Sequence, residues 1–163
     1  MLDEKDWEIL AMMQRNGRAT YGEIGQEVGL AASSVHERVR KMEQKGVITG
    51  YGPKLNPERM GFGMLAFVSL ITSESCANLA PRLQSWPEIE EFHSVAGDEC
   101  VILKVRTIDT AGLQGVLDRL RALPQVERTR STIVLRTVWD EHELQRPVQS
   151  GDDVGNVPVS AVR

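Results

Sequence analysis

Apolar side chains recur at helical spacing through the first third of the chain. Ile9 and Met13 are four positions apart in a segment that follows the potential N-cap Asp3 and ends at Asn16-Gly17. This spacing places them on one face of a helix, and the Asn-Gly pair is a typical stop signal. The pattern therefore predicts a first amphipathic helix.

A second helix is predicted between Thr20 and Gly29. Thr20 can accept a hydrogen bond as the N-cap, and Glu23, three residues later, completes a capping box. Ile24 and Val28 form the apolar face. Gly29 ends the helix because only glycine takes a left-handed conformation without strain.

The third helix carries Val35, Val39 and Met42 on its apolar face and ends before Gly46. Two short helices joined by a glycine turn are typical of a helix-turn-helix. Residues 47–52 then combine β-branched and aromatic positions with glycine, which predicts a strand and turn for a wing.

The pattern changes after residue 60, where apolar runs and alternating stretches predict strands. The predicted strands cover residues 65–71, 89–95, 101–105 and 126–138. Between them, two helices are indicated by apolar residues at helical spacing, namely Leu79, Leu83 and Trp86, and then Leu113, Val116, Leu117 and Leu120. The order of elements is βαββαβ.

The two βαβ halves resemble each other with an offset of 37 residues. Val68 corresponds to Val105, and Leu83 to Leu120. This order and internal similarity predict a ferredoxin-like sandwich with both helices on one face of the sheet. Apolar residues on the other face would be exposed in a monomer, so we expect dimerisation through that face.

The sequence thus predicts an α+β protein with two domains. Residues 1–60 form a winged helix-turn-helix with a linker strand, and residues 61–145 form the ferredoxin-like domain, to which we assign oligomerisation. Residues 146–163 lack hydrophobic periodicity and are expected to be a flexible tail.

Composition and charge exclude several classes of protein. The chain has a net charge of −4, with nine basic and nine acidic residues in the first sixty, so it cannot coat nucleic acid nonspecifically. Cys76 and Cys100 are too isolated to suggest a disulfide framework or a zinc site. Without a long apolar run or a basic, apolar leader, the sequence indicates a cytoplasmic protein with no membrane partner.

The third helix nevertheless has the charge that double-stranded DNA requires. Four basic and two acidic residues lie between Ala31 and Gly46. Such a helix fits the major groove, where residues near its start approach base edges. The predicted base contacts are Ser33, Ser34, His36 and Glu37, and the predicted phosphate or guanine contacts are Arg38, Arg40 and Lys41. Arg18 and Tyr51 are further candidates for contacts to the DNA backbone.

An ordered series of motifs across both halves resembles the Lrp/AsnC family of bacterial and archaeal transcription regulators, the leucine-responsive or feast/famine group. The matching positions are Leu2-Asp3, Asp6, Ile9-Leu10, Asn16-Gly17-Arg18, Ile24, Val28-Gly29-Leu30, Ser34-Val35, Arg38-Val39, Met42-Glu43, Gly46-Val47-Ile48, Gly50-Tyr51, Val95-Ala96-Gly97-Asp98, Leu103-Lys104-Val105, Val126, Arg128-Thr129 and Thr132-Ile133-Val134-Leu135. The resemblance implies a sequence-specific DNA-binding regulator that forms a homodimer and larger homo-oligomers such as an octamer. It also implies that residues 61–145 bind an effector, an amino acid or related small molecule, which shifts assembly or operator affinity.

By this resemblance, the effector lies at the turn around Gly97, between neighbouring dimers. An amino acid needs acceptors for its ammonium group and donors for its carboxylate. The candidate residues are Gly97, Asp98 and Glu99 in the turn and the hydroxyl-bearing Thr129, Ser131 and Thr132 in the last strand. The chain departs from the family pattern in two places: Ala31 replaces a capping serine, and Glu99-Cys100 replaces an aromatic residue followed by Asp.

Other functions remain as alternatives. An architectural DNA-binding protein of the same fold would lack only the effector. An enzyme would need a nucleophile, an acid–base pair or a metal cluster, and none stands out, so we expect neither an enzyme nor a cofactor. An RNA-binding module would need aromatic residues in its central strands, which residues 101–105 lack.

Overall fold

The computed structural model describes residues 1–73 and 75–138. Within these ranges the chain divides into two compact units, residues 1–53 and residues 54–138. The sequence placed the domain boundary after residue 60. The predicted tail, residues 146–163, and the end of the second predicted domain lie outside the described residues.

The first unit contains three helices, α1 (Glu4–Arg15), α2 (Tyr21–Val28) and α3 (Ala32–Gln44). Asp3 and Thr20 cap α1 and α2, each within a capping box. The three helices share a core of apolar side chains, of which the fully or almost fully buried members are Ile9, Ile24, Val28, Val35, Val39 and Met42. The predicted apolar faces are therefore confirmed.

The predicted wing strand at residues 47–52 is wrong. No strand occurs within residues 1–53. The N–H groups of Val47 and Ile48 donate to the carbonyl oxygen of Met42 at the end of α3. The turn at Gly46 brings the chain back onto the helix, so these N–H groups are already paired and cannot serve a strand ladder.

The second unit begins with a short 3₁₀ turn (Glu58–Met60) and has the predicted βαββαβ order. Its elements are β1 (Met64–Thr72), α4 (Cys76–Leu83), β2 (Ile89–Ser94), β3 (Val101–Thr107), α5 (Thr110–Arg121) and β4 (Val126–Ile133). The sheet is antiparallel with the order β2-β3-β1-β4. This is the ferredoxin-like arrangement expected from the sequence.

The 37-residue offset corresponds to a structural repeat. Val68 and Val105 are both buried in the sheet, and Leu83 and Leu120 are both buried in the helices above it. Alternate residues of β1 and β3 join the helix residues in one apolar core. Both helices therefore cover the same face of the sheet.

The opposite face of the sheet, called the open face below, is partly apolar. Phe67 is 40% exposed at its centre, and the half-buried Leu65, Ile71 and Ile102 lie on the same face. Lys104 forms ion pairs with Glu90 and Glu91 beside this cluster. The apolar residues expected on this face are present.

The last strand is shorter than predicted. β4 ends at Ile133, which pairs with Ala66, and the N–H of Val134 makes a final bond to the carbonyl of Leu65. The partner strand β1 starts at Met64. Because β1 extends only two residues beyond Ala66, residues 136–138 have no neighbouring strand to pair with, and the prediction of a strand to residue 138 was wrong.

Candidate nucleic-acid interface and effector loop

The turn between α2 and α3 fixes the position of the recognition helix. Gly29 adopts a left-handed conformation with φ of 71°. One residue on, the N–H of Leu30 donates to the carbonyl of Gly25 at 2.8 Å. Because this bond folds the chain sharply, α3 packs Val35 and Val39 against α2 and exposes its other faces.

Six of the seven predicted DNA contacts are exposed on α3. They are Ser33, Ser34, His36, Glu37, Arg40 and Lys41. Lys41 and Glu37 form an exposed i,i+4 ion pair at 3.5 Å. Such a pair contributes little to stability, so Lys41 can exchange Glu37 for a phosphate at small cost. Arg40 has no ion-pair partner within the described residues.

Arg38, the seventh predicted DNA contact, forms hydrogen bonds within the first unit. Its Nη1 donates to Asp3 at 2.6 Å and to Asp6 at 2.8 Å. The side chain is 31% exposed and that of Asp6 only 15%. The hydrogen bond from Arg38 holds the pKa of Asp3 below its usual range. Arg38 thus joins α3 to the start of α1.

A groove runs between the start of α1 and the exposed face of α3. Its volume is about 600 Å³, and its lining residues are Leu2, Asp3, Asp6, Leu30, Ser33, Ser34, Glu37, Arg38, Lys41, Met42 and Lys45. The groove therefore brings four of the exposed candidates on α3 next to the carboxylates that Arg38 binds. Most of the lining side chains are charged or carry a hydroxyl group, as a polar target requires.

A polar and aromatic cluster that the sequence did not predict lies on the other side of α3. The His36 ring stacks on Tyr21 with centroids 5.4 Å apart. The Tyr51 hydroxyl donates to Glu43 at 2.6 Å. Desolvation of that hydroxyl and its bond to Glu43 raise the pKa of Tyr51 to about 12. Sequence spacing alone gave no signal for these contacts, because they join different elements.

The start of α3 lacks a side-chain cap. Ala31 occupies the N-cap position and accepts no helical N–H through its side chain. The sequence anticipated this loss, and Ser33 does not replace the cap because it is already inside the helix. The backbone carbonyl of Ala31 accepts from Ser34 and Val35, so the helix still starts at Ala32.

The effector candidates in the turn lie between β2 and β3. The N–H of Val95 donates to the carbonyl of Cys100 and closes the loop at 3.0 Å. Gly97 has φ of 154°, a conformation that L side chains rarely adopt. Gly97 and Asp98 are exposed, and Glu99 is half-buried.

The structure divides the other effector candidates between two faces of the sheet. Thr129 and Ser131 pair with the buried positions Leu70 and Val68, so they lie on the helix side. There the Thr129 hydroxyl accepts from Arg121 at 3.2 Å. Thr132 pairs with Phe67 and lies on the open face. These three hydroxyls therefore do not form one cluster with the turn within a protomer.

The structure instead brings Arg130 to the turn. Its Nη1 donates to Oε1 of Glu99 at 3.1 Å. Arg130 is 71% exposed and Glu99 25%. Arg130 was not among the residues predicted from the sequence, although the alternation of β4 could have placed it on the face opposite Thr129.

Membrane-spanning and metal-binding features are absent from the described part of the chain. No helix there is long and apolar enough to cross a membrane. No group of three or more His, Cys, Asp or Glu side chains in residues 1–73 and 75–138 is arranged to hold a metal ion.

Comparison with known families matches both units of the chain. Residues 2–49 match the winged helix-turn-helix DNA-binding family, and residues 65–144 match the Lrp/AsnC ligand binding domain. A helix-turn-helix joined to a ligand-binding domain defines the chain as a transcriptional regulator. It follows from family membership that the protein is not an enzyme, as the sequence predicted.

Individual relatives agree with this class. The transcriptional regulator FL11 of Pyrococcus horikoshii is 37% identical over 88% of this chain and 95% of its own length. The regulator LrpA of Mycobacterium tuberculosis is 38% identical over 87% and 95%. A feast or famine regulatory protein from M. tuberculosis complexed with L-methionine has a TM-score of 0.83 at 35% identity, covering 90% of this chain and all of its own. The chain belongs to the Lrp/AsnC family, which confirms the resemblance seen in the sequence.

Proposed function

We propose that the exposed face of α3 reads double-stranded DNA in the major groove. One observation carries this proposal. The first two turns of α3 expose Ser33, Ser34, His36 and Glu37, whereas Val35 and Val39 bury the opposite face of the helix. The first turns of a recognition helix approach base edges. Arg40 and Lys41 follow one turn later, where phosphates are within reach.

One such unit would bind weakly. Residues 1–60 carry equal numbers of basic and acidic side chains, and the whole chain has a net charge of −4. Only the local charge of α3 attracts phosphates, so few counterions are released on binding. A homodimer places two recognition helices on half-sites about 34 Å apart and makes the second contact intramolecular.

The open face of the sheet is the proposed dimer interface. Phe67, with Leu65, Ile71 and Ile102 beside it, supplies an apolar centre. Lys104 on the central strand β3 lies directly opposite Phe67 and is ion-paired with Glu91 on the edge strand β2. An exposed apolar patch beside a neutralised charge is compatible with a subunit interface. We extend the proposal to a larger assembly of dimers, such as an octamer, in the cytoplasm.

We further propose that an amino acid binds at the turn formed by Gly97, Asp98 and Glu99. The carboxylates can accept from its ammonium group, and Arg130 can donate to its carboxylate. L-methionine is the first compound to test because the M. tuberculosis structure was described as its complex. Thr129, Ser131 and Thr132 remain candidates through a neighbouring protomer.

A gel shift on the DNA upstream of the protein's own gene tests both parts. The shift is measured over a series of salt concentrations, with L-methionine and then each other amino acid. We expect a specific complex whose affinity or size changes with at least one of them. A specific complex that responds to none would support an architectural role, and the absence of any specific complex would refute the proposal for this DNA.

Light scattering during size-exclusion chromatography tests the assembly separately. We expect a mass of a dimer or a multiple of it at micromolar concentration, and Phe67→Asp should shift that mass toward the 18.1 kDa monomer. A monomer that still binds its promoter tightly would contradict the dimer proposal.

A further inference from the structure

The geometry points to Arg38 as a positioning residue for DNA recognition rather than a contact to DNA. Its Nη1 bridges the carboxylates of Asp3 and Asp6 at 2.6 and 2.8 Å. The two hydrogens of this one nitrogen can serve one carboxylate each. A phosphate would have to compete with two carboxylates that are already in place.

The bridge connects the recognition helix to a capped helix start. Asp3 is the N-cap of α1, and Asp6 accepts a hydrogen bond from the N–H of Asp3 at 3.1 Å. This reciprocal capping box fixes both carboxylates before Arg38 reaches them. Arg38 therefore attaches the middle of α3 to a rigid point on α1.

The location of the bridge gives it a second consequence. Asp3, Asp6 and Arg38 line the same groove as Ser33, Ser34 and Lys41. Without Arg38, two negative charges would stand uncompensated beside the surface that meets phosphates. Like charges near an interface weaken association. Arg38 thus keeps the helix in place and neutralises the carboxylates next to it.

Arg40 provides the contrast within the same helix. It is exposed and has no ion-pair partner in the described part of the chain, so its charge remains available for DNA. Two arginines only two residues apart therefore have different roles.

The inference rests on the proposal that α3 reads DNA, and a double-mutant cycle separates the two. The variants are Arg38→Gln, Asp3→Asn with Asp6→Asn, and all three together. Asn retains the side-chain oxygen that caps a helix, so the capping box can persist. Binding is measured on the upstream duplex and on a scrambled duplex of equal length, over a salt series, with circular dichroism to verify folding.

We expect Arg38→Gln to weaken binding to the upstream duplex about tenfold in the native background, within the range for coupled neighbours. Binding to the scrambled duplex should weaken less, because only the two uncompensated carboxylates act there, whereas the displaced helix affects the upstream duplex as well. In the D3N/D6N background the same change should cost less than about twofold, because the carboxylates it serves are gone. A role in folding alone would lower both affinities together.

An equal loss in both backgrounds, with the salt slope lowered by about one, would identify Arg38 as a phosphate contact and overturn the inference. If Arg38→Gln unfolds the unit, Arg38→Lys is used in the same cycle. The lysine ammonium group ends one bond closer to the backbone than the arginine Nη1 and therefore reaches the two carboxylates less well, so we expect a loss in the native background that disappears with D3N/D6N. If Arg40→Ala does not weaken binding, that result would instead contradict the proposal that the exposed face of α3 binds DNA.

Discussion

The carbonyl oxygen of Leu30 lies 2.4 Å from the point where a Cβ on Gly25 would be. The N–H of Leu30 also donates to the carbonyl of Gly25 at 2.8 Å. The backbones on either side of the turn are therefore in direct contact, and only a residue without a side chain fits on α2 at this point.

Gly25→Ala should destabilise the DNA-binding unit by about 1–3 kcal/mol, because the new methyl group must displace backbone rather than a flexible side chain. The measurement is the free energy of unfolding from urea titration followed by circular dichroism. Gly22→Ala is the matched control: its Cβ would have only an ordinary contact at 3.8 Å, so stability should be unchanged or higher. Equal effects of the two substitutions would contradict the close approach.

Ala31→Ser should stabilise the recognition helix. Serine at the N-cap can accept from a helical N–H that has no side-chain partner now, a gain of about 1 kcal/mol. Thermal unfolding provides the measurement. Ala32→Ser, one residue inside the helix, is the control and should give no gain; a similar increase for both would show that capping is not the cause.

Arg40→Ala and Lys41→Ala should each weaken DNA binding and reduce the slope of log affinity against log salt. The expected decrease is ~0.9 for each phosphate that the variant no longer neutralises. Arg82→Ala removes the same charge from an exposed site on α4 and should leave the slope unchanged. An unaltered slope for the two α3 variants would reject their assignment to phosphates.

Gly97→Ala should abolish the effector response while DNA binding without effector persists. Its φ of 154° disfavours a side chain even though the Cβ would meet no atom within 4 Å. The measurement is the rise in Tm on addition of L-methionine. At a ligand concentration of one hundred times Kd, the native protein should gain about 2.7 kcal/mol in its free energy of unfolding. Gly115→Ala on α5 is the control and should show the same rise in Tm as the native protein. If both variants show that rise, the effector does not bind at the Gly97 turn.

The titration of Tyr51 should be visible at high pH. The folded pKa is raised from 10.0 to about 12, so the stabilisation is complete below pH 10 and is lost as the pH rises toward 12. Phenolate absorbance at alkaline pH should show a step near pH 12 that Tyr51→Phe removes. Glu43→Gln should move this step to lower pH; an unchanged step would exclude their hydrogen bond.

The hydrophobic periodicity predicted the elements of the second unit because the burial of each apolar side chain there follows the period of its own helix or strand. The pairs Val68 and Val105, and Leu83 and Leu120, could be matched by spacing alone, and all four are buried. The prediction of a wing strand was wrong because a strand depends on a second segment of the chain and not only on its own pattern. A strand needs a partner, and the N–H of Val47 is bound to Met42 instead.

The two sites could be predicted only in part. Exposure on α3 follows from the helical period, and thus Ser33 and Arg40 could be placed from the sequence. The pairing of Arg38 with Asp6 spans 32 residues and that of Arg130 with Glu99 spans 31. Contacts between distant segments depend on tertiary packing, for which a single sequence contains no periodic signal.

The loop from Ala96 to Glu99 joins the two halves of the duplicated βαβ scaffold and belongs to neither of them. None of its four residues is buried, and its closing bond uses only the backbones of Val95 and Cys100. If the effector binds at this junction as proposed, substitutions of Ala96, Asp98 and Glu99 would alter chemical selectivity without disturbing the paired halves. An experimenter seeking sensors for new metabolites could randomise Ala96, Asp98 and Glu99, keep Gly97 because its φ of 154° disfavours a side chain, and leave the remainder of the domain intact.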